Sequence, residues 1–142
     1  HRPLCDKGVR DAMLVGAELK RLGIIPDQIL VSPAVRTQST ATLIADQIGC
    51  PLDNLTTENT IYNSSEHDIL QLIRNVSPSV NTLMVVGHNP TFTHLVNRLD
   101  SDRIDNLPTC GCAGFLNKAD VWDDFGKQKE EKLFFIRPKN LR

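Results

Sequence analysis

Two short apolar runs, each followed at once by a helical pattern, constrain the fold of this chain more than any other feature. "QILVSP" (Gln28–Pro33) and "NTLMVVGH" (Asn81–His88) are closed by turn residues, the pattern of strands buried on both faces. Behind the first, "AVRTQSTATLIADQIG" places Ala41, Ile44, Ala45 and Ile48 on one stripe, and Gly49 supplies the stop. Behind the second, "PTFTHLVNRL" begins another helix, with Pro90 in a position where a first-turn proline is tolerated. Strand and helix following one another at this spacing predict parallel βαβ units with helices on both faces of the sheet.

The other segments fit around that frame. From Asp6 to Gly23, Ala12, Val15, Gly16, Leu19 and Leu22 recur at helical spacing, and Gly23 and Pro26 end the pattern. Thr56–Tyr62 is β-prone and predicts a short edge strand. Ser65 is placed as the N-cap of "EHDILQLIRNV", whose Ile69, Leu72, Ile73 and Val76 form a third stripe. "CAGFLNK" and "KLFFIRP" predict two further strands, the first reaching back through Cys112 to Cys110. Trp122 reads as a packing anchor. The expectation is one α/β domain over residues 1–142, a three-layer sandwich with a mostly parallel central sheet.

A net charge of −1 gives no electrostatic reason to expect nucleic acid or an anionic membrane as partner. No apolar run approaches the ~18 residues that cross a bilayer, and no signal-like segment is visible. Cys5, Cys50, Cys110 and Cys112 fit no zinc spacing, so no metal and no cofactor is expected. Free thiols suit a reducing compartment, and the expected location is the cytoplasm. The oligomeric state is left open.

Arg36 and His88 carry the chemistry. Each falls just after a buried strand, and in open α/β sheets ligands bind outside the carboxyl ends of the strands. A guanidinium beside helix N-termini suits phosphate, because it can bond two oxygens at once. His88 can donate to the same oxyanion or move a proton near neutral pH. Taken alone, Arg36 reads more readily as a solvated helix residue and His88 as a hydrogen-bonded structural one. Their joint placement favours a small anion site, with the reaction type left open.

"SPAVRTQSTA" resembles the Ser-Pro-x-x-Arg-x-x-x-Thr-Ala signature of the histidine phosphatase superfamily, the phosphoglycerate-mutase-like fold. "VVGHNPT" is similar to its second catalytic histidine motif. "RPLCDKG", "LPTCGCAGF" and "FFIRPKNL" resemble stretches of its short SixA-type branch, the phosphohistidine phosphatases. The resemblance implies a metal-independent phosphatase in which a histidine on the first strand accepts the phosphoryl group and is then hydrolysed. Arg36 would be the second phosphate-binding arginine and His88 the second active-site histidine. Arg2 would border the phosphate pocket, and Glu58 and Glu66 are the candidates for a general acid. Thr109 would add a hydroxyl near the pocket or simply complete a turn.

The same resemblance requires an Arg-His-Gly-like segment, and none is present. His1 adjoins the Arg-Pro-Leu stretch and does not fit the role. The expectation is therefore that the first strand and the nucleophile lie upstream of His1. The substrate would be phosphohistidine in a protein or a small phosphorylated compound. The alternative is a catalytically inactive phosphate-binding or protein-interaction module of the same fold; a mutase is a weaker third reading.

Overall fold

β1 (Gln28–Val31) organises the fold. It pairs in parallel with β2 (Leu55–Thr57) on one side and β3 (Leu83–Val86) on the other, giving the strand order β2-β1-β3. Two-residue periodicity then splits the side chains of β1 between two cores. Ile29 and Val31 pack with Ala41 and Ala45 of α2 (Val35–Ile48). Leu30 packs on the other face with Ile69, Leu70 and Ile73 of α3 (Glu66–Arg74), and with Leu95 and Leu99 of α4 (Thr91–Leu99). β1 is a continuous apolar run because both of its faces are covered.

This computed structural model describes residues 4–142. The first described helix, α1 (Asp6–Arg21), lies against α2 through Ala12, Val15 and Leu19, which share a core with Ile44 and Ile48. Leu22, read from the sequence as part of that stripe, lies beyond the helix and is exposed. α2 ends at Gly49, whose φ of 84° is the left-handed conformation that glycine adopts without strain. In α3, the Ser65 side chain accepts the Asp68 N–H while the Asp68 side chain accepts the Ser65 N–H, a reciprocal cap.

Several sequence expectations need correction. Only Leu55–Thr57 forms the edge strand, because the chain coils into a short helical turn at Asn59–Ile61. Pro90 occupies the N-cap of α4 and not its first turn. The last two strands, whose partners the sequence left unnamed, are β4 (Cys112–Leu116) and β5 (Glu131–Ile136), and they pair antiparallel in a sheet of their own. The segment joining them holds only a short turn at Trp122–Asp124, not the crossover helix that parallel pairing needs. Cys110 has a φ of 59° and precedes β4 instead of lying in it; it packs with Cys112 against the α1–α2 core. Trp122 is an anchor, with its indole N–H donating to the Val80 carbonyl at 2.9 Å.

Among the described residues, β3 and β4 are each paired on one side only. Between them runs a cavity of about 520 Å³, lined by Leu83 and Val85, by Cys112, Gly114 and Leu116, and by Phe134. No helix of the described residues is long and apolar enough to cross a membrane.

Candidate active site

The site is built at the carboxyl ends of β1 and β3. Ser32 follows β1 and donates its N–H to the Val86 carbonyl at 3.1 Å, so the two strand ends stay in register to this point. The chain then turns sharply into α2, and its own side chains hold the turn. Thr37 Oγ1 donates to the Ser32 and Ala34 carbonyls at 3.1 and 2.8 Å, and Gln38 Nε2 donates to the Ser32 carbonyl at 3.0 Å. Ser32 is fully buried, whereas Arg36 stands exposed in the first turn of α2. No side chain caps this helix start, so its first N–H groups add to the positive potential around Arg36.

Gln38 Nε2 also donates to Thr57 Oγ1 at 3.0 Å, tying the end of β2 to the same turn. One residue on, Glu58 donates its N–H to the Val31 carbonyl at 2.9 Å, which places this half-buried acid on the rim shared with Ser32 and Arg36. Glu66 is half-buried in the first turn of α3. That helix start is linked to α4 by Thr91 Oγ1, which donates to the Ser64 carbonyl at 2.6 Å.

His88 arrives on the loop after β3. Its Nε2 lies 2.7 Å from the Ser32 hydroxyl oxygen. The Tyr62 ring meets it edge to face, with centroids 5.5 Å apart and an interplanar angle of 87°. Gly87 is required just before it, since a Cβ there would overlap the Phe92 ring. Burial holds the pKa of His88 below its usual value, favouring the neutral imidazole. Asn89 fixes the loop from behind: Oδ1 accepts from Thr93 Oγ1 at 2.9 Å, and Nδ2 donates to the Leu107 carbonyl at 2.7 Å. Thr109 lies beyond that anchor in an exposed turn.

The geometry therefore joins the two motifs read from the sequence through Ser32, with Arg36 four residues further along. Ser32 and Tyr62 were not singled out as functional. Ser32 was visible inside its motif, but Tyr62 carried no local signal. Arg2 lies outside the described residues. Among the described residues, no cluster of three or more His, Cys, Asp or Glu side chains could hold a metal ion.

Comparison with known proteins places this arrangement. The family model for the histidine phosphatase superfamily (branch 1) matches residues 2–57, which contain β1, Ser32 and Arg36. An uncharacterized protein of Mycobacterium tuberculosis is 32% identical over 133 residues, covering 87% of this chain and 80% of its own. The chain belongs to the histidine phosphatase superfamily. A Mycobacterium leprae protein is 27% identical over 147 residues, covering 97% of this chain and 88% of its own. The superfamily fold is also shared with the protein histidine phosphatase SixA, solved as a tungstate complex. That structure superposes with a TM-score of 0.83 at 20% identity, over 99% of this chain and 87% of the other. A protein of Nakamurella multipartitia, provisionally named phosphohistidine phosphatase SixA, superposes at 0.79 with 22% identity, over 96% and 85% of the two chains.

Proposed function

We propose that this protein is a SixA-type phosphohistidine phosphatase, hydrolysing phosphohistidine or a phosphate monoester through a phosphohistidine enzyme intermediate. Membership of the histidine phosphatase superfamily supports the phosphatase activity. The single observation that carries the site is the contact between His88 and Ser32, because it brings the second motif onto the strand end that presents Arg36. An exposed guanidinium, open helix N–H groups and a neutral histidine together suit a phosphoryl group that must be held and then released.

The nucleophile in this reading is a histidine on a strand upstream of His1, and the cavity between β3 and β4 supports it. Two strand edges unpaired among the described residues face one apolar slot, and buried backbone groups need partners. A strand seated there would join the two sheets and end on the rim beside His88. In the first step the bond from phosphorus to the leaving group breaks as the nucleophile's nitrogen bonds to phosphorus. Water then attacks phosphorus, the N–P bond breaks, and inorganic phosphate leaves. Arg36 and His88 hold the equatorial oxygens through both steps; such transfer depends mainly on positioning and electrostatics. Glu58 is better placed than Glu66 to serve as general acid, since its backbone is bonded to the end of β1.

The chemistry is metal-independent in this reading, and free thiols at Cys5, Cys50, Cys110 and Cys112 support action in the cytoplasm. The test is hydrolysis by the full-length protein of a phosphohistidine peptide and of an aryl phosphate, with and without a chelator. Chelator-resistant turnover, faster on the peptide, is expected. No turnover of either compound overturns the phosphatase reading.

A further inference from the structure

We infer that Ser32 is a positioning residue that fixes His88 as the neutral tautomer with its proton on Nδ1. The inference rests on the site proposed above, and counting hydrogens carries it. A serine hydroxyl has one proton to donate and two lone pairs to accept with. The Ala34 N–H points at Ser32 Oγ from 3.3 Å, occupying one lone pair. His88 Nε2, at 2.7 Å, is the other partner.

If Nε2 carried a proton, both partners would donate to Oγ. The Ser32 proton would then have no acceptor among the described residues, in a side chain with no exposure to water. A buried donor left without an acceptor loses its bond to water and gains nothing in return. If instead the hydroxyl donates to Nε2, every group is satisfied and the ring proton must sit on Nδ1. The same count opposes the doubly protonated ring.

The consequence is chemical. His88 offers an N–H donor without a full positive charge, so Arg36 supplies the charge and His88 the directed hydrogen bond. Nδ1 has no partner among the described residues, which leaves it for the phosphoryl oxygen. The groups around the ring are Ser32 from the end of β1 and Tyr62 from the turn after β2. Arg36 and Glu58 are the charged groups on the same rim.

The test is nitrogen NMR of the full-length protein with labelled histidine. In the wild type near neutral pH, His88 should show an unprotonated Nε2 and a protonated Nδ1; a protonated Nε2 overturns the proposal without any variant having to fold. Ser32→Ala should release the tautomer preference, move the His88 titration upward, and lower kcat about 10²-fold with little change in KM. Ser32→Cys, which keeps the volume with a weaker donor, should fall between the two. An unchanged tautomer and titration in both variants would overturn the role. A changed tautomer with wild-type turnover would uphold Ser32 as the positioning residue and remove His88 from the catalytic machinery.

Discussion

The Tyr62 ring stands edge-on to His88, 5.5 Å between centroids, although Tyr62 itself is largely exposed. It shields the imidazole from one side, and burial is what lowers the pKa of His88. Tyr62→Ala should therefore raise that pKa toward the ordinary histidine value of about 6.5. Tyr62→Phe keeps the ring and should leave it unchanged. Proton NMR titration of the His88 ring in the two variants checks this.

The same depressed pKa makes a stability prediction. A histidine held neutral in the fold resists protonation, so its contribution is fully present above the unfolded value near 6.5. That contribution is lost as pH falls from there through the lowered folded pKa. His88→Gln should flatten this part of the stability curve, measured by urea unfolding across the mildly acidic range.

Arg36 is exposed and stabilises nothing in the core. Arg36→Ala should lower turnover about 10²–10³-fold, the cost of removing one preorganised donor, while shifting Tm by no more than about 2 °C. His88→Ala should lower turnover comparably but destabilise more, since it strips the partner from a buried hydroxyl, about 1–3 kcal/mol. Steady-state kinetics and thermal unfolding of both variants decide the matter.

Gly87→Ala should destabilise by about 1–3 kcal/mol, because overpacking forces neighbours aside. The added methyl would overlap the Phe92 ring and lie 2.8 Å from Ile61 Cγ2. Turnover should fall with it, as His88 is the next residue. Chemical denaturation with a parallel rate assay reads both effects.

The cysteines should separate by reactivity. Cys5 is exposed, and the Gly8 N–H at the start of α1 is the main cause lowering its pKa, with a smaller contribution from Arg36. Burial raises Cys110 and pushes Cys112 up to about 12. Native-state alkylation should label Cys5 first and leave Cys112 untouched, as peptide mass mapping would show.

What could be read from the sequence was local or periodic. The Ser65 cap depends on a residue three positions away, and the Gly49 stop closes a pattern already visible in α2. The unbroken apolar run of β1 encodes two covered faces in four residues. The antiparallel pairing of β4 with β5 was not readable, because nothing within either strand names its partner. Cys110 left the strand through a positive φ that a cysteine does not advertise. At the site, Arg36 and His88 stood out by residue type after a strand. Their connection through Ser32 spans 56 positions and exists only in the folded chain.

The central claim is tested most directly by intact mass spectrometry of the full-length protein, quenched in alkali after brief mixing with a phosphohistidine peptide. The account predicts a single phosphoryl adduct, labile to acid, on a histidine upstream of His1, which accumulates and then decays as phosphate is released. Phosphate release with no adduct, or an adduct on any other residue, would contradict it.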